Sequence, residues 1–157
     1  AMPGEDVLLT PFPLVNMAAL GGFMFPAASL GAGIVLHHPL DPVVFLGQMQ
    51  NEEITFTIAP PALLNHLATA PEMWRQFDFS ELRAVGSGSA PLSPDMIATV
   101  ENDYGTPVIN YYGSNEGISL FSTPADAAEP QIRATMFPRY GVAGMPFEGI
   151  THEMVES

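Results

Sequence analysis

Residues 110–117 read NYYGSNEG, two tyrosines and two asparagines around a glycine turn with one glutamate. A tyrosine ring offers a flat face on which a base can stack. Gly113 permits a tight turn, and Asn115 can hydrogen-bond a phosphate oxygen. Glu116 is a hard carboxylate of the kind that holds Mg2+ while phosphates and waters fill the remaining positions. A polar turn with one exposed acid has the same composition. A second glycine-bearing segment, GSGSAP at residues 86–91, excludes more than it assigns. A dinucleotide fingerprint needs glycine at the sixth position, where Pro91 stands, and a phosphate loop needs a lysine. A nucleophile elbow needs serine at the centre of five residues, where Gly88 stands. What remains is backbone free of bulk, able to approach a flat ligand; an ordinary strand-to-helix turn also uses these residues.

The histidines carry less. His37 and His38 are adjacent, so on a strand they face opposite ways and cannot share a metal. His66 falls on a helical pattern beside leucines, which suggests packing, and His152 lies near the end of the chain. No Ser/His/Asp set is defensible.

The elements that must position these segments alternate. DVLLTPF reads as a buried strand, then NMAALGGFMFPAASLG as an apolar helix that Pro26 kinks or ends. AGIVLHH is a second strand. Asp41 and Pro42 open a helix as cap and first residue, with Val43, Leu46 and Met49 on one face. ITFTIAPP is a third strand, and ALLNHLATA a helix with Leu63, Leu64 and Leu67 inward. LRAVGSG is a fourth strand. Ser93, Pro94 and Asp95 mark the start of a helix whose stripe is Met96, Ile97, Val100 and Tyr104. PVINYYG and GISLFST are the fifth and sixth strands. From residue 124 the pattern decays into loop, with the start of a further strand or subdomain near the end.

Such alternation predicts an α/β fold, a mostly parallel sheet of about five or six strands with helices on both faces. Ligands of such sheets sit beyond the carboxyl ends of the strands. Both polar turns fall there.

Composition bounds the partners. The chain has 157 residues, enough for one core, with 17 acids against four bases, all arginine (Arg75, Arg83, Arg133, Arg139), and a net charge of −13. That balance argues against nucleic acid or anionic membrane. With no lysine, any ammonium needed on a phosphate must come from elsewhere. The absence of cysteine excludes disulfides and thiolate sites and fits a reducing, cytoplasmic setting. Residues 7–40 carry no charged side chain. Glycines and prolines interrupt that stretch, which reads as buried helix and strand and not as a membrane span.

In order and spacing, VGSGSAPLSPDM, NYYGSNEG, GVAGMPFEG and DVLLTPFPLVN resemble motifs of the adenylate-forming superfamily, the acyl-CoA synthetases, adenylation domains and luciferases. These are its Gly-Ala-Pro-Leu-Ser segment, its Tyr-Gly-x-Thr-Glu motif, its Gly-x-x-Gly-x-Pro stretch and the strand leading to its Pro-Leu-Phe-His segment. The resemblance spans residues 6–157. It implies a two-step ligation: a carboxylic acid and ATP give an acyl-adenylate, which coenzyme A takes up as a thioester, as in fatty acid metabolism. It implies that Gly88, Ser89, Ala90 and Pro91 line the nucleotide pocket, and that Asn110, Tyr111, Tyr112 and Gly113 hold adenine, with Tyr112 stacking. It puts Asn115 at the α-phosphate, Glu116 on Mg2+, and Asn16, Gly86 and Gly117 on the acyl side. This chain has Asn115 where the family usually has threonine, and Asn16 where many members have histidine. The family's lysine-bearing phosphate loop, ribose-binding aspartate and mobile C-terminal domain would fall outside these residues. The resemblance therefore implies one subdomain of a larger enzyme, inactive alone and prone to self-associate through uncovered apolar surface. A standalone binding module and a domain loading a carrier protein are the alternatives.

Overall fold

The computed structural model describes residues 5–113, 119–137, 139–140 and 145–146. Eight strands form one sheet: β1 Val7–Thr10, β2 Gly33–Leu36, β3 Phe56–Ile58, β4 Ala84–Gly88, β5 Val108–Gly113, β6 Ser119–Ser122, β7 Arg139–Tyr140 and β8 Met145–Pro146. The order across the sheet is β2-β1-β3-β4-β5-β6-β7-β8. The strands from β2 to β5 run parallel, and β6, β7 and β8 add antiparallel pairings. The six expected strands are all present; the two-residue strands β7 and β8 extend the sheet beyond them.

Seven helices were found among the described residues: α1 Met17–Ala19, α2 Phe25–Leu30, α3 Pro42–Asn51, α4 Pro61–Thr69, α5 Pro71–Trp74, α6 Pro94–Asn102 and α7 Pro130–Arg133. They cover both faces, because neighbouring residues of a parallel strand point opposite ways and both sides are apolar. Leu9 and Val85 pack with Leu46, Leu64 and Ile97 of α3, α4 and α6 in the main core. Leu8 points to the other side, where Phe23 and Ala27 pack with Phe56 and Ile58.

The helix starts follow from their caps. The Asp41 carboxylate accepts from the N–H groups of Val43 and Val44, both at 3.0 Å, and the Ser93 hydroxyl accepts from Met96 at 3.4 Å. Pro26 neither ends nor kinks the first helical run in the simple sense. A wider π-helical turn, Leu20–Met24, joins α1 to α2 and places Pro26 in the first turn of α2. There its missing N–H and its ring cost least.

Three details differ from the sequence reading. The buried stripe of α3 is Phe45, Leu46 and Met49, while Val43 is exposed. Val43 sits in the first turn, rotated away from the sheet. His66 is exposed and faces solvent from the last turn of α4. The region after residue 124 is not all loop, because α7 forms there. His37 is structural: its Nε2 accepts from the Asp41 N–H at 3.0 Å, which leaves the proton on Nδ1 to donate to Gln48 Oε1 at 2.6 Å. Among the described residues, no helix is long and apolar enough to cross a membrane.

Candidate functional site

A cleft of about 560 Å3 opens beyond the carboxyl ends of β4 and β5. It falls within the range of ~300–1,000 Å3 usual for small-molecule sites. Ser89, Ala90 and Pro91 line one side, Asn110, Tyr111, Tyr112 and Gly113 the floor, and Ala134, Thr135 and Phe137 the opposite side. The two polar turns thus meet because β4 and β5 are parallel neighbours, with Ser87 beside Asn110 and Gly88 beside Tyr111. The strand order reverses at β1, between β2 and β3. The cleft obeys the carboxyl-end rule but lies two strands from that switch point.

Backbone shape explains the glycines and serines. A Cβ on Gly88 would stand 2.1 Å from the Tyr111 carbonyl oxygen, so no side chain fits between these strands. Ser89 then turns the chain out of β4 with φ +69°, a left-handed conformation that a residue with a Cβ rarely adopts. A Cβ on Gly86 would lie 2.6 Å from the Tyr111 ring. Gly86 is therefore a seat for that ring and is not among the residues lining the cleft. The ring also packs against Phe121, centroids 5.7 Å apart. Burial pushes the Tyr111 phenol up to about 12.

Asn110 and Tyr112 project on the other face of β5. Asn110 is buried, and its Nδ2 donates to the carbonyls of Arg133 and Ala134, both at 3.0 Å. Its carboxamide thus ties the far wall to the floor. Tyr112 is half-exposed, with its ring 5.7 Å from that of Phe137. Asn16 is exposed and caps α1, its Oδ1 accepting from the Ala18 N–H at 2.6 Å; it is not among the cleft residues. Asn115, Glu116 and Gly117 lie outside the described residues, in the connection between β5 and β6.

The electrostatics are one-sided. The three arginines with described side chains are all paired with acids: Arg75 with Glu72, Arg83 with Asp6, Arg133 with Glu101. Among the described residues there is no group of three or more His, Asp or Glu side chains able to hold a metal. One carboxylate, with a ligand's phosphates and waters completing the shell, is enough for Mg2+, and Glu116 is by sequence a carboxylate of that kind. Sequence reasoning missed Ala134, Thr135 and Phe137. The only local signal was Pro130 following Glu129, a helix-start pair too common to mark a site.

A mostly parallel α/β sheet with a cleft at its strand ends places the chain among α/β proteins whose ligands sit at the carboxyl edge of the sheet. The chain belongs to the AMP-binding enzyme family, whose sequence profile matches residues 1–154. An indoleacetate–CoA ligase of Aromatoleum aromaticum is 33% identical over 128 residues, covering 80% of this chain and 25% of that protein. A 4-coumarate–CoA ligase of Nicotiana tabacum is 31% identical over 128 residues, covering 80% of this chain and 23% of that protein. The amide bond synthetase McbA of Marinactinospora thermotolerans has the same fold, with a TM-score of 0.73 and 24% identity over 95% of this chain and 32% of its own. The chain thus spans about a quarter of the length of the curated relatives it matches.

Proposed function

We propose that these residues form the adenylate-binding part of an ATP-dependent acid–thiol ligase, one subdomain of a longer polypeptide and inactive alone. A carboxylate oxygen of the substrate attacks the α-phosphorus of ATP, the α–β anhydride breaks, and pyrophosphate leaves. The coenzyme A sulfur then attacks the acyl carbon, its proton is lost, and AMP departs. The observation that carries this reading is the cleft in which the Ser89–Pro91 turn faces the floor Asn110–Gly113. Adenine lies over Tyr112, and the backbone of Gly88 to Pro91 approaches its edge. Asn115 donates to the α-phosphate. Glu116 would hold Mg2+, which would neutralise charge at the phosphoryl centre, a large term in such chemistry.

The acyl side runs toward Asn16, Gly86 and Gly117, on the face of β5 where the Tyr111 and Phe121 rings pack against each other at a tilt of 37°. The two relatives above act, by their names, on indoleacetate and 4-coumarate. We therefore take an aryl-bearing acid as the substrate class ahead of a fatty acid, and coenzyme A ahead of a carrier protein as acceptor.

Carboxylate-dependent ATP–pyrophosphate exchange tests this, with indole-3-acetate and 4-coumarate as probes. Full-length protein is expected to exchange, and Glu116→Gln to lose on the order of a hundredfold. The 157-residue chain is expected to show no exchange. Robust exchange by that chain would overturn the subdomain reading. A full-length protein that binds AMP but exchanges with no acid would favour a non-catalytic binding module, the reading that Asn16 and Asn115 motivate.

A further inference from the structure

One wall of the cleft comes from neither glycine-bearing motif. Ala134, Thr135 and Phe137 follow α7, a four-residue turn that cannot hold itself in place. Its anchor is a buried polar relay. The Arg133 guanidinium is fully buried and ion-paired with the Glu101 carboxylate of α6. Its Nη1 also donates to the carbonyl of Ala127, and to that of Ala128 at 3.4 Å. The other oxygen of Glu101 accepts from the Val108 N–H, at the start of β5, at 2.9 Å. Further along β5, Asn110 reaches back to the carbonyls of Arg133 and Ala134. One carboxylate, one guanidinium and one carboxamide thus join α6, β5 and the far wall.

Such an arrangement is a poor device for stability. Taking both charges out of water costs about as much as their attraction returns, and an apolar pair of similar volume does as well. Arg133 even leaves its Nε buried without a partner. What a planar, multiply bonded guanidinium does supply is a fixed geometry.

We propose that Arg133 is a positioning residue for the cleft. Its pair with Glu101, passed through its own carbonyl to Asn110, sets Ala134–Phe137 opposite Tyr112 and so fixes the slot a flat adenine enters. This rests on the adenylate reading above.

The test is an AMP titration of the 157-residue chain by amide NMR, with melting temperature measured alongside. The double variant Arg133→Met/Glu101→Met removes both charges and leaves none buried unpaired. It is expected to stay folded while its AMP dissociation constant rises about tenfold, the worth of one well-aligned hydrogen bond. Glu101→Gln, a milder change, moves it in the same direction. In a Phe137→Ala background the double substitution has a smaller further effect on AMP, because the largest of the wall residues it places is gone. An unchanged dissociation constant in a folded double variant overturns the proposal, as does an undiminished loss in the Phe137→Ala background. No AMP binding by the unsubstituted chain overturns the adenylate reading first, and this proposal with it.

Discussion

Tyr111 and Gly88 show how tightly the cleft floor is specified. Gly88 has the Tyr111 backbone where its Cβ would be, and backbone cannot step aside as a flexible side chain can. Tyr111 in turn is only partly exposed, and desolvation pushes its phenol up from the ordinary 10.0 to about 12. The folded protein keeps that proton to higher pH than the unfolded chain. The stabilisation is therefore complete below pH 10 and is lost as pH rises towards 12, by roughly 2 kcal/mol. Urea unfolding followed from pH 9 to 12 is expected to be less pH-dependent in Tyr111→Phe than in the parent by that amount. Equal slopes would mean that the ring hydroxyl is open to water. Neither the Gly86 seat nor the strained Ser89 could be read from composition. Both depend on which residue of β5 lies beside β4, and register is a tertiary fact.

The elements were more legible, because caps and periodicity act locally. Asp41 and Ser93 mark the starts of α3 and α6 through side-chain bonds to their own first turns. Asp41→Ala is expected to lower stability by about 1 kcal/mol in urea titration, since two N–H groups lose their acceptor. No loss would mean that the His37 contact to the Asp41 N–H holds the turn by itself. The strand–helix alternation gave the parallel sheet for a related reason: β1 and β2 carry apolar side chains on both faces, which calls for cover on both. What stayed hidden was α7 and the wall beyond it. A polar loop composition around Arg133 carries no trace of a partner on α6, and a fully buried arginine contradicts the usual expectation for that residue. Asn110 was expected at the ligand. Its donors are committed to the far wall, a role visible only once α7 is in place.

At the scale of the molecule, nearly all the exposed large apolar side chains among the described residues fall between Leu14 and Val44. β2 ends the sheet order, and its Ile34 and Leu36 are 38% and 51% exposed. An apolar sheet edge without lysine or proline invites pairing. The chain is expected to self-associate there, more strongly at high salt because its net charge of −13 is then screened. Light scattering should show Leu36→Lys shifted towards monomer. A monodisperse monomer in the parent at high concentration would mean the face is not adhesive. The central claim, that the cleft at the ends of β4 and β5 seats the adenylate, is tested most directly by mapping AMP-induced amide shifts on the assigned chain. The account predicts shifts concentrated at residues 88–91, 110–113 and 134–137 that Tyr112→Ala abolishes. Shifts centred elsewhere, or none at millimolar AMP, would contradict it.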